Sequence, residues 1–448
     1  MIKRIIRFYR TSSPKTIISD SELIRKRYGK YRWSVFLSAT LGYSLYYVCR
    51  LSLNVVKKPI VDAGVLTESE LGMIGSALFF SYAAGKLVNG FLADRSNIGR
   101  FMATGLFFTA LVNLTLGFTT TFTVFVVLWG ISGWFQSMGA APSVISLSRW
   151  FSNRERGTYY GIWSASHSIG KALTYVGIAF IVSLFGWKWG FWGAGISGLV
   201  SAFMIALFLH DTPESKGLPP IADYKNDHAE VSNKGKTVGT LQKEVLKNPF
   251  IWILAISSAM MYISRYAIES WGIFYLEVQK NYTTLEASSI ISVSAVSGIV
   301  GTVVAGIISD RFFKSSRNVP ALVAGLLNVF SISFFLFYPD GNAWIDTISM
   351  IIFGFAIGIL ITFVGGLMAV DIASKKASGF ALGVIGIASY MGAGLQEIIS
   401  GFLIGDNKLT TNGGVTTYDF TIAKWFWLGA AIISVVLALL VWNAKRKD

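Results

Sequence analysis

Two arginines stand inside apolar stretches at matching places in the two halves of the sequence. Arg50 lies in the run Trp33–Val56, within Tyr46-Tyr47-Val48-Cys49-Arg50, and Arg265 lies in the run Phe250–Leu276, within Tyr262-Ile263-Ser264-Arg265. A guanidinium keeps its charge, is costly in hydrocarbon, and grips phosphate or carboxylate with a planar fork of donors. A matched pair of them points to a membrane pocket for an anion.

Further ionisable residues fall in similar runs: Lys86, His167, Lys171, Glu269 and Glu397. With the histidine neutral, four cations face two acids. A doubly ionised phosphate ester neutralises that excess and a neutral sugar does not. Arg50 and Lys86 each sit six residues from a span end, so snorkelling to water is an alternative for both. Glu269 follows Arg265 by four and shares its face, either as a neutralising partner or as part of the site. Lys171 follows His167 by four. It reads as a third phosphate cation or as the partner of Glu397. His167 is a switchable cation beside a phosphate or a packed core residue. Tyr43, Tyr47 and Tyr82 can add hydroxyls to the same cavity, the first two lying near the face that carries Arg50.

These residues need helices long enough to hold them at mid-membrane. The chain has 448 residues, of which 53% are hydrophobic and 14% charged. A soluble domain carries about 25% charged residues. Apolar runs of roughly 20 residues, enough to cross ~30 Å of hydrocarbon, recur from end to end. They predict twelve transmembrane helices near 33–56, 71–92, 100–118, 124–148, 158–184, 188–210, 250–276, 286–308, 318–338, 344–369, 377–403 and 421–442. The expected class is an all-α membrane protein.

The formal net charge of +15 invites a nucleic-acid partner, but its distribution argues for a bilayer. Of 39 Lys and Arg, 29 fall on the face that carries both termini and 6 on the opposite face, among them Lys57 and Lys280. That asymmetry predicts both termini in the cytoplasm. The basic start, residues 1–32, reads as mature sequence and not as a signal peptide. Its first ten residues are either a helix lying on the inner leaflet or a frayed basic tail. The single cysteine, Cys49, excludes an internal disulfide. No cofactor loop, metal cluster or catalytic triad is evident, so an enzyme is not expected.

The halves repeat. Gly90-Phe-Leu-Ala-Asp94-Arg95 follows the second span and Gly306-Ile-Ile-Ser-Asp310-Arg311 follows the eighth, with the aspartates 216 residues apart and the arginines of the pocket 215 apart. Features repeating at nearly one offset imply a duplicated six-span unit. The expected organisation is a basic segment 1–32, a bundle 33–210, a cytoplasmic linker 211–248 that lets the halves move, and a bundle 249–448. Asp94, Arg95, Asp310 and Arg311 read as structural and gating latches. The doubled motif with these spans marks the major facilitator superfamily, in which two halves rock around a midplane site.

Several stretches make the sequence resemble the organophosphate:phosphate antiporters of that superfamily. They include Gly42-Tyr43-Ser-Leu-Tyr46-Tyr47-Val-Cys-Arg50, Tyr82-Ala-Ala-Gly-Lys86, Asp94-Arg95-Ser96-Asn97, Trp163-Ser-Ala-Ser-His167 and Arg265 with Trp271. The resemblance implies that Arg50 and Arg265 hold the phosphate, that His167 stands beside them, and that Lys86, Tyr43, Tyr47 and Tyr82 line the cavity. It implies exchange of an organic phosphate for inorganic phosphate by a monomer. Leu51, Ser164, Ala295 and Ile359 depart from the family pattern, and Lys171 and Glu397 stand where small residues are usual. The acid at Glu269 leans toward hexose 6-phosphate, with glycerol 3-phosphate next. A receptor for external hexose phosphate that signals to a kinase, and a proton-coupled organic-anion carrier, are the alternatives.

Overall fold

The structure, a computed structural model, describes residues 2–227, 238–312, 317–338, 341–373, 377–410 and 416–442. Its spanning segments in chain order are α1 (Ser21–Asp62), α2 (Glu68–Asp94), α3 (Ile98–Leu116), α4 (Phe122–Trp150), α5 (Arg154–Phe185) and α6 (Trp187–Phe208), followed by α7 (Pro249–Gln279), α8 (Thr284–Phe312), α9 (Asn318–Phe337), α10 (Ala343–Ile372), α11 (Ser378–Asp406) and α12 (Thr421–Leu440). Eleven of them are long and apolar enough to cross a bilayer by length and composition. The exception is α1, whose 42 residues include Arg50, Ser52, Asn54 and Lys57, all buried against protein. A helix that keeps its polar groups off lipid does not need an apolar average.

Side-chain caps set the helix starts. Asp20 accepts from the backbone N–H of Glu22 and Leu23 at the head of α1. Thr67 and Glu70 cap α2 reciprocally, and Thr283 and Glu286 do the same for α8. Each such cap contributes about 1 kcal/mol. These two capping boxes are also 216 residues apart, the offset of Asp94 and Asp310. The duplication therefore extends to the way the second helix of each half begins. Gly186, at φ +85°, ends α5 and opens α6.

Each half is a six-helix bundle. α1 packs on α6, α3 on α6 and α2 on α4; in the second half α7 packs on α11 and α12, and α8 on α10. The halves meet where α2 crosses α11, α1 meets α7 and α5 meets α8. Outward-facing apolar side chains such as Val200, Phe203, Leu87 and Val436 are exposed, as a lipid-facing belt requires.

The sequence reading needs correction at two places. Lys57 and Lys280 are not loop cations on the surface. α1 runs on through Pro59 to Asp62, which carries Lys57 inside, and Lys280 is bonded to Asp346 at 2.5 Å with both side chains at most 1% exposed. The N-terminal residues do not fray. After a short helix, Ile2–Tyr9, the Tyr9 hydroxyl donates to Thr104, Arg100 donates to the Phe8 carbonyl, and the Ser12 N–H donates to Asp211. The start of the linker 211–248 bonds to the N-terminal segment: Lys15 N–H to the Glu214 carbonyl and Ile18 N–H to the Gly217 carbonyl.

Candidate substrate site between the bundles

A cavity of about 550 Å³ lies between the two halves. Tyr43 and Tyr47 of α1, Lys86 of α2 and His167 and Lys171 of α5 line one wall; Arg265 and Glu269 of α7 with residues of α8 and α10 line the other. Tyr160 at the start of α5, Val370 at the end of α10 and Leu382 at the start of α11 also line it. All three lie toward the face that carries the chain termini, so the cavity opens there. α10 widens into a π-helical turn at Phe363–Leu367, and three of those residues, Gly365, Gly366 and Leu367, form part of the wall. A second π-helical turn, Leu173–Ile178, begins two residues after Lys171.

One carboxylate organises the cationic wall. Glu269 Oε1 accepts from Arg265 Nε at 2.9 Å and from Lys171 Nζ at 2.6 Å. Lys171 belongs to the first bundle and Glu269 to the second, so this bond also ties the halves together. The Glu269 carbonyl accepts from Asn54 Nδ2 and from the Tyr175 hydroxyl, again across the halves. Lys171 therefore pairs with Glu269, and the alternative pairing with Glu397 is overturned. Lys86 forms no ion pair among the described residues; its ammonium lies 5.2 Å from the centroid of the Tyr390 ring. With His167 neutral, the charged lining residues carry a net +2. His167 packs beside Tyr47, ring centroids 5.9 Å apart, and Tyr43 stacks on Trp163.

Arg50 and Tyr82 are the expected site residues that do not line this cavity. The Arg50 guanidinium is buried, 4.4 Å from the Tyr82 ring centroid and within 5.7 Å of those of Phe79, Tyr390 and Tyr47. Its Nε and Nη2 have no hydrogen-bond partner among the described residues. An arginine at mid-membrane costs about 3 kcal/mol or more. Cation–π contacts at roughly 0.5–2 kcal/mol each go far toward offsetting that without using the donors.

On the opposite face the halves are shut. Lys57 Nζ donates to Glu397 Oε2 at 2.9 Å and to Ser270 Oγ at 2.7 Å, and Trp271 Nε1 donates to the same Glu397 oxygen at 3.0 Å. Glu68 of α2 accepts from Lys408 at 3.1 Å and from the Tyr418 hydroxyl, both on the hairpin Lys408–Thr410 and Thr416–Tyr418. Glycines bring α2 and α11 into direct contact there: a Cβ on Gly72 would fall 2.5 Å from the Glu397 carbonyl oxygen and 3.0 Å from Gly401 Cα.

The first copy of the motif on the terminal face makes no ion pair among the described residues. Asp94 and Arg95 are exposed and pair with no charged side chain among the described residues, Arg95 lying over Phe91. Arg311 is exposed, and the Asp310 side chain lies outside the described residues. An ion pair on this face joins Arg149 and Asp211, 2.5 Å apart. Sequence reading missed Lys57, Asn54, Ser270 and Tyr390. The seven-residue interval from Arg50 to Lys57, two turns on one stripe, is the signal that marks Lys57.

The comparisons agree with this architecture. The model of the Major Facilitator Superfamily matches residues 35–397. The chain is 33% identical to a "Probable hexose phosphate transport protein" of Chlamydia pneumoniae over 97% of each chain. It is 33% identical to the "Glycerol-3-phosphate transporter" of Bacillus subtilis over 96% of each. It is 31% identical to the "Membrane sensor protein UhpC" of Salmonella typhimurium over 88% of this chain and 90% of that one. In fold it is similar to a bacterial homologue of the lysosomal transporter Spinster, solved inward-facing and unoccupied, with a TM-score of 0.71 at 18% identity over 92% of this chain and 97% of that one. A transport protein and not an enzyme, the chain belongs to the major facilitator superfamily and, within it, to the organophosphate:phosphate antiporter family.

Proposed function

We propose that this protein exchanges a phosphorylated metabolite for inorganic phosphate by alternating access, with hexose 6-phosphate the favoured substrate and glycerol 3-phosphate the next. The observation that carries this reading is the cavity itself. It is about 550 Å³, lies between two bundles of a duplicated fold, and is lined by Arg265, Lys171, Lys86 and Glu269 with two positive charges in excess. A phosphate dianion cancels that excess. The basic face that holds the termini is the cytoplasmic one on this reading, which puts the cavity open to the inside of the inner membrane.

The mechanism follows from the shared carboxylate. Arg265 spends its Nε on Glu269, and a phosphoryl group entering the cavity competes with Glu269 for Lys171. Where it wins, the link from α5 to α7 passes through the substrate. Ligand-dependent bridging of this kind changes the relative stability of the open and closed states, and only a ligand with such a preference shifts them. Arg50, behind its aromatic cage, joins the phosphate when the halves rock.

Purified protein in liposomes loaded with phosphate should take up labelled phosphate in counterflow, and unlabelled hexose 6-phosphate should compete best among a panel of esters. No counterflow with tight ester binding overturns exchange and supports the receptor reading, which the similarity to the sensor favours. Uptake driven by a proton gradient without internal phosphate supports a proton-coupled carrier. That reading has less support, because the two glutamates it would use as proton sites, Glu269 and Glu397, are bonded to lysines.

A further inference from the structure

The cavity stops short of the far face, and the barrier there contains a complete charge pair. Lys57 is 0% exposed and Glu397 1%, with one supplied by each bundle. The Lys57 ammonium also lies 3.7 Å from the centroid of the Trp271 ring. Glu397 is wedged from the other side by α2, where a Cβ on Gly75 would fall 2.7 Å from its Oε2.

We infer that Lys57 is a second anion-binding cation, presented to phosphate dianions when the far face opens, and that Glu397 is the built-in anion that fills its place while that face is shut. The inference deepens the transport reading above and rests on it.

Three observations carry it. First, the groups around Lys57 divide between the bundles. Trp271 and Ser270 are on α7 and Glu397 is on α11, all in the second half, whereas Lys57 is on α1. When the halves part on the far side, Glu397 keeps its indole donor and Lys57 loses both of its acceptors. A lysine stripped of its partners in a narrow vestibule calls for an anion. Second, Arg50 lies two helical turns before Lys57 on the same stripe, roughly 10 Å deeper at 1.5 Å per residue. Its Nε and Nη2 are buried donors with no acceptor among the described residues. The arginine that the terminal-face cavity does not reach thus lies further along the stripe that Lys57 begins. Third, a carboxylate is the chemical stand-in for a phosphoryl oxygen: it takes charge-assisted hydrogen bonds from the same ammonium. The two cations form a ladder from the far face to the centre, and Glu397 caps its upper rung.

The test uses full-length protein in liposomes of sorted orientation, with inorganic phosphate as the probe on both sides. Lys57→Gln should raise the KM for phosphate presented at the far face about tenfold, the loss expected for one charge-assisted contact. The KM at the terminal face should change less than about twofold, and Lys57→Arg should restore most of the far-face affinity. Equal changes at both faces, or none at either, would overturn the inference and leave Lys57 a structural partner of Glu397. A second arm is independent of transport. In a Cys49→Ser background, Ser69→Cys reports opening of the far interface to a membrane-impermeant thiol reagent. Glu397→Gln should speed its labelling, and added phosphate should change that rate only while Lys57 is present. Unchanged labelling refutes the stand-in role. If the unsubstituted protein fails to exchange phosphate while the labelling responds, exchange fails and the anion site stands.

Discussion

Lys171 of the first bundle and Glu269 of the second are joined at 2.6 Å, and Arg265 holds the same carboxylate oxygen at 2.9 Å. The bond that neutralises the pocket is therefore also a bond between the moving halves. Both side chains of the cross-bundle pair are at least nine-tenths buried. Such a pair gains little over apolar packing but is costly to break on one side only. Its value lies in switching: it is made or lost according to what else offers charge to Lys171.

Arg265→Lys tests the geometry of that wall. A lysine keeps the charge and can still reach Glu269, but it cannot keep one donor on the carboxylate while presenting a planar fork to phosphate. Phosphate counterflow should fall about 100-fold or more in kcat/KM, equivalent to roughly 2.7 kcal/mol of transition-state stabilisation. Thermal unfolding in detergent should change little. Full exchange by this variant would remove Arg265 from the site.

Asp346→Asn makes the contrasting case. Lys280 donates to Asp346 and to the Phe335 carbonyl, and the Tyr282 hydroxyl donates to the other Asp346 oxygen. None of these residues lines the cavity. Removing the carboxylate charge leaves Lys280 buried and unpaired, a change that costs about 3–5 kcal/mol. The variant should lose thermal stability while the KM for phosphate in the surviving protein stays within about twofold of the parent. A KM that rises with the loss of stability would show the pair to be coupled to the site.

Asp211→Asn addresses the terminal face. Asp211 takes Arg149 Nη1, the Ser12 N–H and the Ile98 N–H at once. It thereby clamps the N-terminal segment against the start of α3 and the end of α4. Hydrogen bonds to a charged group contribute about 1.5–3 kcal/mol. Trypsin should cut within residues 1–32 about 10- to 100-fold faster in the variant, since cleavage follows the population of the opened segment. Unchanged cleavage would show that the backbone bonds of Lys15 and Ile18 hold the segment alone.

The sequence carries the spans and the duplication plainly, because hydropathy and offset are properties of a line of residues. The cavity stripe is nearly as plain: His167 with Lys171 and Arg265 with Glu269 are both i, i+4 pairs, which one helix face displays without knowledge of any other helix. Partners across the bundles are not on that line. Three lysines, Lys57, Lys86 and Lys171, and two glutamates were available for pairing, and the contacts of α5 with α7 and of α1 with α11 decide which meet. Lys57 is hidden for a second reason. Lys57-Lys58-Pro59 has the look of a loop, yet a proline in the final turn of a helix costs one hydrogen bond and little else, and α1 carries it. Arg50 is legible as a membrane arginine but not as a caged one, since Tyr82 and Tyr390 reach it from other helices.

Gly72→Val probes closure of the far face without touching a charge. α2 and α11 approach so closely that a Cβ at Gly72 would meet the Glu397 carbonyl oxygen at 2.5 Å and the Gly401 Cα at 3.0 Å. Both obstacles are backbone, so no rotamer change relieves them, and the larger valine side chain forces the helices apart. The interface it disturbs holds the bond from Ser69 to the Gly401 carbonyl and the Lys57–Glu397 pair. The strain falls only on the state in which this face is shut. The variant should therefore favour opening at the far face: an impermeant thiol reagent should label Ser69→Cys faster, and counterflow should slow because the return step is hindered. Gly401→Val should act in the same direction, as its Cβ would lie 2.8 Å from the Glu68 carbonyl oxygen and 2.9 Å from Gly72 Cα. If both variants exchange phosphate at the parent rate with unchanged labelling, α2 and α11 do not form the closing surface.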